Sequence, residues 1–296
     1  MEIPKILQEM IEKEYKNLTN DIINGYKKIR KTTLRVNTIK SNIEEIKKEL
    51  DKNNIIYEEV SWYKDALIIS SDFNIRNLDI YKDGKIYIQS LSSMIPPLIL
   101  EPQKDEKILD MAASPGGKTT EMYNLSKGKC LITAVEKNKI RAEKLKYNLN
   151  LQGCHNASIL IEDARNLDDL FSFDKILLDA PCSGSGTLNL KYFDKELVKR
   201  SVKTQSELLN KALNILKKDH IMIYSTCSIL KEENENQLLK LIKQGKIEIV
   251  SIDDDLFKEI PLLPVTIPGT ICVKPSLNYE GFFIAKIRKI WKRFIY

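Results

Sequence analysis

Two short loops carry the residues whose chemistry stands out. Cys182 lies in Asp179-Ala-Pro-Cys-Ser-Gly-Ser-Gly186, and Cys227 lies in Tyr224-Ser-Thr-Cys-Ser228. A thiolate is a strong nucleophile near neutral pH, so a cysteine in a loop of small, turn-forming residues is a candidate for covalent catalysis. A cysteine that only fills a core does not need Pro, Gly, Ser and Thr around it. Each loop follows an apolar run, Ile176-Leu-Leu178 or Ile221-Met-Ile223, that reads as a buried parallel strand. Open α/β sheets bind ligands at such strand ends.

A third loop, Asp110-Met-Ala-Ala-Ser-Pro-Gly-Gly-Lys-Thr-Thr120, follows the apolar Ile108–Asp110. It is not a P-loop, because that pattern needs glycine five positions before Gly117, where Ala112 stands. Its small residues still allow a ligand close to the backbone, and the helix that follows offers its N-terminus to a carboxylate. Glu136 ends the next apolar run, a position from which an acid can bind the two hydroxyls of a ribose. Asp163 ends the third run and can accept from an exocyclic amine. Acids at strand ends are also frequent helix caps. Taken with the first loop, the two acids outline a nucleoside with a carboxylate-bearing tail, the shape of S-adenosylmethionine.

The elements that must hold these loops alternate. Apolar runs at Ile108–Asp110, Leu131–Val135, Ile159–Ile161, Ile176–Leu178 and Ile221–Ile223 are separated by helical stretches. That pattern predicts an α/β fold with a doubly wound, mostly parallel sheet. Gly269–Val273 and Gly281–Ala285 read as an antiparallel pair closing its edge. The patterning changes near residue 86. Before it come a Lys-rich helical stretch from Ile3 to about Lys28, a strand over Thr33–Thr38, an amphipathic helix from Asn42 to about Asn53, and short strands near Ile55 and Leu67. Residues 1–85 are therefore expected to form a small α+β unit and residues 86–296 the larger domain, a division that suits a chain of 296 residues.

Composition narrows the class. A net charge of +6 permits a polyanionic partner without requiring one. An odd number of cysteines, five, and the absence of a signal-like N-terminal segment point to a reducing cytoplasm. No CxxC pair occurs and only His155 and His220 could add imidazole ligands, so no metal is expected. No apolar run reaches membrane-spanning length, and no membrane association is expected.

The loops at 110–120, 179–186 and 224–228, with Glu136 and Asp163 between them, resemble the successive motifs of the NOL/Sun family of RNA cytosine-5 methyltransferases. Upstream, Leu34-Arg-Val-Asn-Thr-Ile-Lys40 and Tyr87-Ile-Gln-Ser-Leu-Ser-Ser-Met94 resemble that family's N-terminal signatures, and the likeness runs from about Leu34 to Ala285. It implies a Rossmann-like methyltransferase sheet preceded by an RNA-binding unit, with S-adenosylmethionine as cofactor. It further implies that Ala112, Ala113, Ser114, Pro115, Gly116, Gly117, Lys118, Glu136, Arg141, Asp163 and Asp179 line the cofactor pocket. Many members carry Cys-Ala-Ala-Pro where this chain has Ala112 to Pro115; the replacements are small, so backbone approach is expected to survive.

Such an enzyme must activate carbon 5 of cytosine, a poor nucleophile. Thiolate addition at carbon 6 makes the ring an enamine that attacks the sulfonium methyl. Asp179 is suited to assist at ring nitrogen 3 if burial raises its pKa, and Lys118 to hold the base, unless Lys118 is a helix-start lysine in solvent. Sequence geometry does not choose between the thiols. DNA cytosine-5 methyltransferases attack with the Pro-Cys cysteine, here Cys182. The resembling RNA family uses the Thr-Cys cysteine, so the resemblance implies Cys227 as nucleophile and Cys182 as the group assisting release.

The expected partner is RNA, with tRNA favoured over ribosomal RNA, and a monomer is expected. Lys27, Lys28, Arg30, Lys31 and Arg35 form one basic cluster and Lys286, Arg288, Lys289, Lys292 and Arg293 another; each is a candidate phosphate track or a solvated face. Tyr192 and Phe193 are candidates to pack against a base drawn out of its stack, or core residues.

Overall fold

The computed structural model describes residues 3–70, 73–188, 190–253 and 257–290. Two helices come first, α1 (Lys5–Tyr15) and α2 (Thr19–Tyr26), joined by a 3-10 turn over Lys16–Leu18. The next segment runs β1 (Thr32–Val36), α3 (Ile43–Lys52), β2 (Tyr57–Glu59), β3 (Ala66–Ile69), α4 (Asp79–Lys82) and β4 (Ile86–Ile88). Its four strands form an antiparallel sheet in the order β2-β3-β1-β4. A β-α-β-β-α-β segment with this order is ferredoxin-like. The amphipathic helix predicted from Asn42 is α3, where the Asn42 side chain accepts from the Glu45 N–H and caps the first turn. Ile46 and Leu50, one turn apart, bury against Leu34, Val36, Leu67 and Ile69 of the sheet.

The chain continues through α5 (Leu91–Leu100), β5 (Lys107–Asp110), α6 (Gly117–Leu125), β6 (Leu131–Val135), α7 (Lys139–Gln152), β7 (Ala157–Leu160), β8 (Phe173–Asp179), α8 (Lys195–Ile215), β9 (Leu216–Thr226), α9 (Glu235–Lys243), β10 (Ile247–Val250), β11 (Leu262–Leu263), β12 (Ile271–Val273) and β13 (Phe282–Lys289). Strands β7, β6, β5, β8 and β9 lie side by side and parallel. Strand β13 adds antiparallel to β9 and is followed by β12 and β11, while β10 also pairs with β13. The predicted alternation is thus observed, with β7 beginning two residues before the predicted run. The order reverses between β5 and β8, where a doubly wound sheet opens its crevice. This is a Rossmann-like sheet beside a ferredoxin-like unit.

Both faces of the large sheet are covered, and the period of two is visible in which core each residue joins. Leu109, Ile176, Leu178, Met222 and Tyr224 pack with α1, α2, α8 and α9. Ile108, Leu177 and Ile223 pack with α5, α6 and α7. Two features depart from the expected boundary. Helices α1 and α2 bury Leu7, Ile11, Ile22 and Tyr26 in the core of the large sheet, not in the α+β unit. Tyr15 donates to the Ile229 carbonyl at 2.5 Å and Tyr26 to that of Ser185, fixing the helices there. Strand β4, which begins at Ile86, belongs to the small sheet. Among the described residues no helix is long and apolar enough to cross a membrane.

Candidate active site

Strands β8 and β9 run parallel, with Asp179 opposite Ser225, so the loops that follow them emerge side by side. Their backbones are tied directly: Gly186 N–H donates to the Cys227 carbonyl at 2.9 Å, and the Ser185 and Ser228 hydroxyls are 2.7 Å apart. Gly186 also meets Gly281 so closely that a Cβ would fall 2.0 Å from the Gly281 oxygen, which leaves room only for glycine. The result is a Cys182–Cys227 sulfur separation of 3.0 Å, with both residues half-buried and free of disulfide. The contact with Cys227, together with burial, pushes the Cys182 thiol well above its ordinary pKa.

The loop at 110–117 is pinned at both sides, Met111 N–H to the Leu177 carbonyl at 3.0 Å and Ala113 N–H to that of Val135 at 2.9 Å. Gly116 turns the chain into α6 at φ +107, a conformation that suits glycine. The second residue of α6, Lys118, is drawn inward rather than into solvent. Its Nζ lies 2.8 Å from Asp179 Oδ2 and 2.7 Å from Ser93 Oγ, and it sits 5.3 Å from the centre of the Phe282 ring. Burial works against the Lys118 ammonium, but Asp179 and Asp110 together hold its pKa above the ordinary value. Asp179 is therefore ion-paired, with its other oxygen accepting from Ser225 Oγ at 2.8 Å, and is not a lone acid in an apolar pocket. Asp110, buried and bonded to Thr119 at 2.7 Å, is pushed up to about 6 by that burial.

Two cavities flank this loop and share Ala112 as a wall. One, of about 220 Å³, is lined by Ala112, Ala113, Ser114, Pro115, Gly117, Lys118 and Asp179, and also by Tyr87, Gln89, Ser90 and Ser93. The other, of about 50 Å³, is lined by Glu136, Arg141 and Asp163, with Pro181 of the Cys182 loop. Glu136 is buried, its Oε1 accepting from Asn138 N–H at 2.8 Å. Arg141 braces the loop: its Nη2 donates to the Ser114 carbonyl at 2.9 Å while Ser114 Oγ donates to the Arg141 carbonyl at 2.8 Å. Asp163 caps a 3-10 turn and holds Arg165 through both oxygens, at 2.9 and 2.6 Å. That pairing lowers it to about 2, so it is an anion that can only accept hydrogen bonds. Acceptors in one cavity, a helix N-terminus and small residues in the other fit a nucleoside with a charged amino-acid tail.

Ser93 and Ser225, which touch the Lys118–Asp179 pair, were not singled out by sequence. Both lie inside quoted motifs, but a serine's partner across the sheet has no local signal. The basic clusters change most. Arg35 is fully buried, its Nη2 donating to Thr120 Oγ1 at 2.9 Å and its Nε to Gln89 at 3.3 Å, because β1 points it into the joint with α6. Arg30 donates to the Tyr279 carbonyl at 3.2 Å with its terminal nitrogens buried, and Lys31 pairs with Glu58 at 2.6 Å. Lys27 and Lys28 remain exposed. Lys286 and Arg288 lie along the middle of β9, opposite Ile223 and Ile221, and all three described members of this cluster are engaged, Lys286 with Glu101 at 3.7 Å, Arg288 with Glu248 at 2.6 Å and Lys289 with the Leu216 carbonyl at 2.6 Å. Lys292 and Arg293 lie outside the described residues. Phe193 belongs to the core, whereas Tyr192 is exposed. Among the described residues no cluster of His, Cys, Asp and Glu is arranged to hold a metal ion.

Comparison with known proteins adds an independent line. The family model described as 16S rRNA methyltransferase RsmB/F matches residues 97–288, and the RsmF/B-like ferredoxin-like domain matches residues 3–76. The chain is 34% identical over 221 residues to a tRNA (cytosine(72)-C(5))-methyltransferase of Pyrococcus horikoshii, covering 73% of this chain and 56% of that protein. It is 33% identical over 286 residues to the ribosomal RNA small subunit methyltransferase F of Shewanella piezotolerans, covering 91% of this chain and 60% of that protein. The chain thus spans less than two thirds of the length of these relatives. A crystal structure of a methyltransferase homologue from Pyrococcus horikoshii superposes with a TM-score of 0.82 at 31% identity, covering 97% of this chain and 99% of that one. NSun6 from the same organism shares the fold, with a TM-score of 0.88 at 24% identity over 98% of this chain and 99% of that one.

Proposed function

The chain belongs to the RsmB/F family of Sun-type methyltransferases, and on that premise we propose that it transfers a methyl group from S-adenosylmethionine to carbon 5 of cytosine in RNA, with tRNA as the substrate. The observation that carries this reading is the meeting of two thiols, 3.0 Å apart, beside the Lys118–Asp179 pair at the carboxyl edge of a parallel sheet. Bound S-adenosylmethionine would supply the electrophilic methyl.

In this reading Cys227 adds to carbon 6 of the cytosine. The Lys118–Asp179 pair offers a hydrogen-bond donor to the polar edge of the ring, where negative charge gathers during addition. After transfer the proton on carbon 5 passes to water and the carbon 6–sulfur bond breaks; Cys182, its proton held firmly, can give that proton to the departing Cys227 sulfur and so assist release of the methylated product. Glu136 and Asp163 accept from the nucleoside, Arg141 keeps the loop at 112–117 in place, and the ferredoxin-like unit with the exposed lysines of the N-terminal segment carries the RNA.

The tRNA assignment is supported by the relative named for tRNA cytosine 72. A second reading, small-subunit ribosomal RNA, is supported by relatives that align with 91% of this chain. Bisulfite sequencing of tRNA and ribosomal RNA from cells with and without the protein tests both. A cytosine protected only when the protein is present supports the activity and identifies the RNA. Identical patterns in both fractions would remove the assignment.

A further inference from the structure

Glu233, in the segment after β9, is fully buried, and burial raises its pKa against the hydrogen bonds it receives. Those bonds are the informative part. One oxygen accepts from the Ser183 N–H at 2.7 Å and the other from Ser183 Oγ and Ser228 Oγ, both at 2.6 Å. Ser183 follows Cys182 and Ser228 follows Cys227, so a single carboxylate grips the chain one residue beyond each thiol. The Glu233 carbonyl is also held, by Tyr224 Oη at 2.5 Å, on the strand that leads to Cys227. Gln205 reaches the same carboxylate at 3.4 Å from α8.

A buried carboxylate is costly, and its loss would leave Ser183 without its main acceptor. Of the other ties between the loops, Ser225 Oγ to Asp179 and Ala180 N–H to the Ser225 carbonyl, both at 2.8 Å, hold the strand ends before Cys182, and Gly186 to Cys227 and Ser185 to Ser228 lie beyond Gly184. Gly184 has φ +72, a turn that separates Cys182 from those ties. We propose that Glu233 is a positioning residue that clamps Ser183 to Ser228 and thereby keeps Cys182 within contact of Cys227, so that release of the methylated product depends on it. The release step rests on the function proposed above; the clamp itself does not.

The test separates the two. Phenylarsine oxide condenses with two adjacent thiols and loses water, giving an As(SR)₂ bridge. Protection of Cys182 and Cys227 from alkylation, read by mass spectrometry, therefore measures their proximity without any turnover. Wild type is expected to bridge. Glu233→Ala should bridge about tenfold less, a difference of ~1.4 kcal/mol, while binding S-adenosylmethionine as wild type does. Glu233→Gln should rescue bridging, because its amide offers one acceptor and one donor to hydroxyls that can turn to match. Given RNA, Glu233→Ala should also accumulate the covalent adduct expected of Cys182→Ala. If Glu233→Ala fails to fold, Ser228→Ala, which removes one arm of the clamp, should bridge less than wild type. Wild-type bridging in folded Glu233→Ala or in Ser228→Ala overturns the proposal, as does a loss that only follows a lower melting temperature and weaker cofactor binding. If Cys182→Ala releases product normally, the role given to Cys182 fails, and bridging still judges Glu233.

Discussion

Cys227 and Cys182 sit in near-identical surroundings, each followed by a serine and each half-buried, yet their partners set them apart. Cys182 lies beside Cys227 in a way that keeps its proton in place, which disfavours it as the attacking thiolate. Replacing Cys227 by alanine is accordingly expected to abolish methyl transfer and leave cofactor affinity nearly unchanged. Cys182→Ala should instead trap protein on RNA as a band that survives a denaturing gel. If the trapped band comes from Cys227→Ala, the two roles are exchanged. The acids of the smaller cavity lend themselves to a direct measurement. Glu136→Ala and Asp163→Ala should each weaken S-adenosylmethionine binding by ~1–3 kcal/mol through loss of a charged acceptor. Calorimetry reads this without RNA, and unchanged affinity in both variants would reduce these carboxylates to caps of their own loops.

At the scale of elements, the joint between β1 and α6 holds an ionic group that nothing in the local sequence announces. Arg35 and Glu121 are both fully buried, 4.0 Å apart, and share Gln89, whose Nε2 donates to Glu121 at 2.7 Å. Burial pushes Glu121 up to about 8 from its ordinary 4.5, against the pull of Arg35. The folded protein then keeps a proton that the unfolded chain releases, so the contribution of Glu121 to stability is full below pH 4.5, falls as pH rises, and is lost above pH 8. Glu121→Gln should flatten that slope in melting temperatures taken across the window, and a slope identical to wild type would show that Glu121 is ionised in the fold. Sequence legibility divides along the same line. Strands β5, β6, β8 and β9 were readable because burial on both faces forces continuous apolar runs. Strand β4 and α5 were not read: β4 is three residues long, and α5 contains Pro96 and Pro97. Arg35 read as a surface cation because a strand residue's direction depends on which face meets another unit, which no local period reveals.

For the molecule as a whole, the question is where a polyanion can reach the cysteines. With Arg35 buried, Arg30 and Lys31 engaged, and Lys286, Arg288 and Lys289 held by Glu101, Glu248 and the Leu216 carbonyl, the positive charge comes from the exposed Lys27 and Lys28 and from residues outside the two clusters. A groove of about 860 Å³ runs between α1, α2 and the segment that continues the Cys182 loop, lined by Lys5, Lys27 and Lys191 and, among the described residues, by no acidic one. Helix α2 is fastened to that loop by Tyr26, so charge on the groove and the thiol share one rigid support. If RNA phosphates lie there, each contact releases counterions and steepens the fall of affinity with salt by about 0.7 to 0.9 in the logarithmic slope. Replacing Lys5, Lys27 and Lys191 together by alanine should therefore flatten the slope by roughly 2 and weaken RNA binding most at low salt. S-adenosylmethionine affinity should not change, because none of the three lines either cavity beside Ala112. An unaltered slope in this variant would make the groove a solvated face, and the RNA path would then have to cross the ferredoxin-like unit, where Lys40, Lys48 and Lys64 are the exposed lysines to remove next.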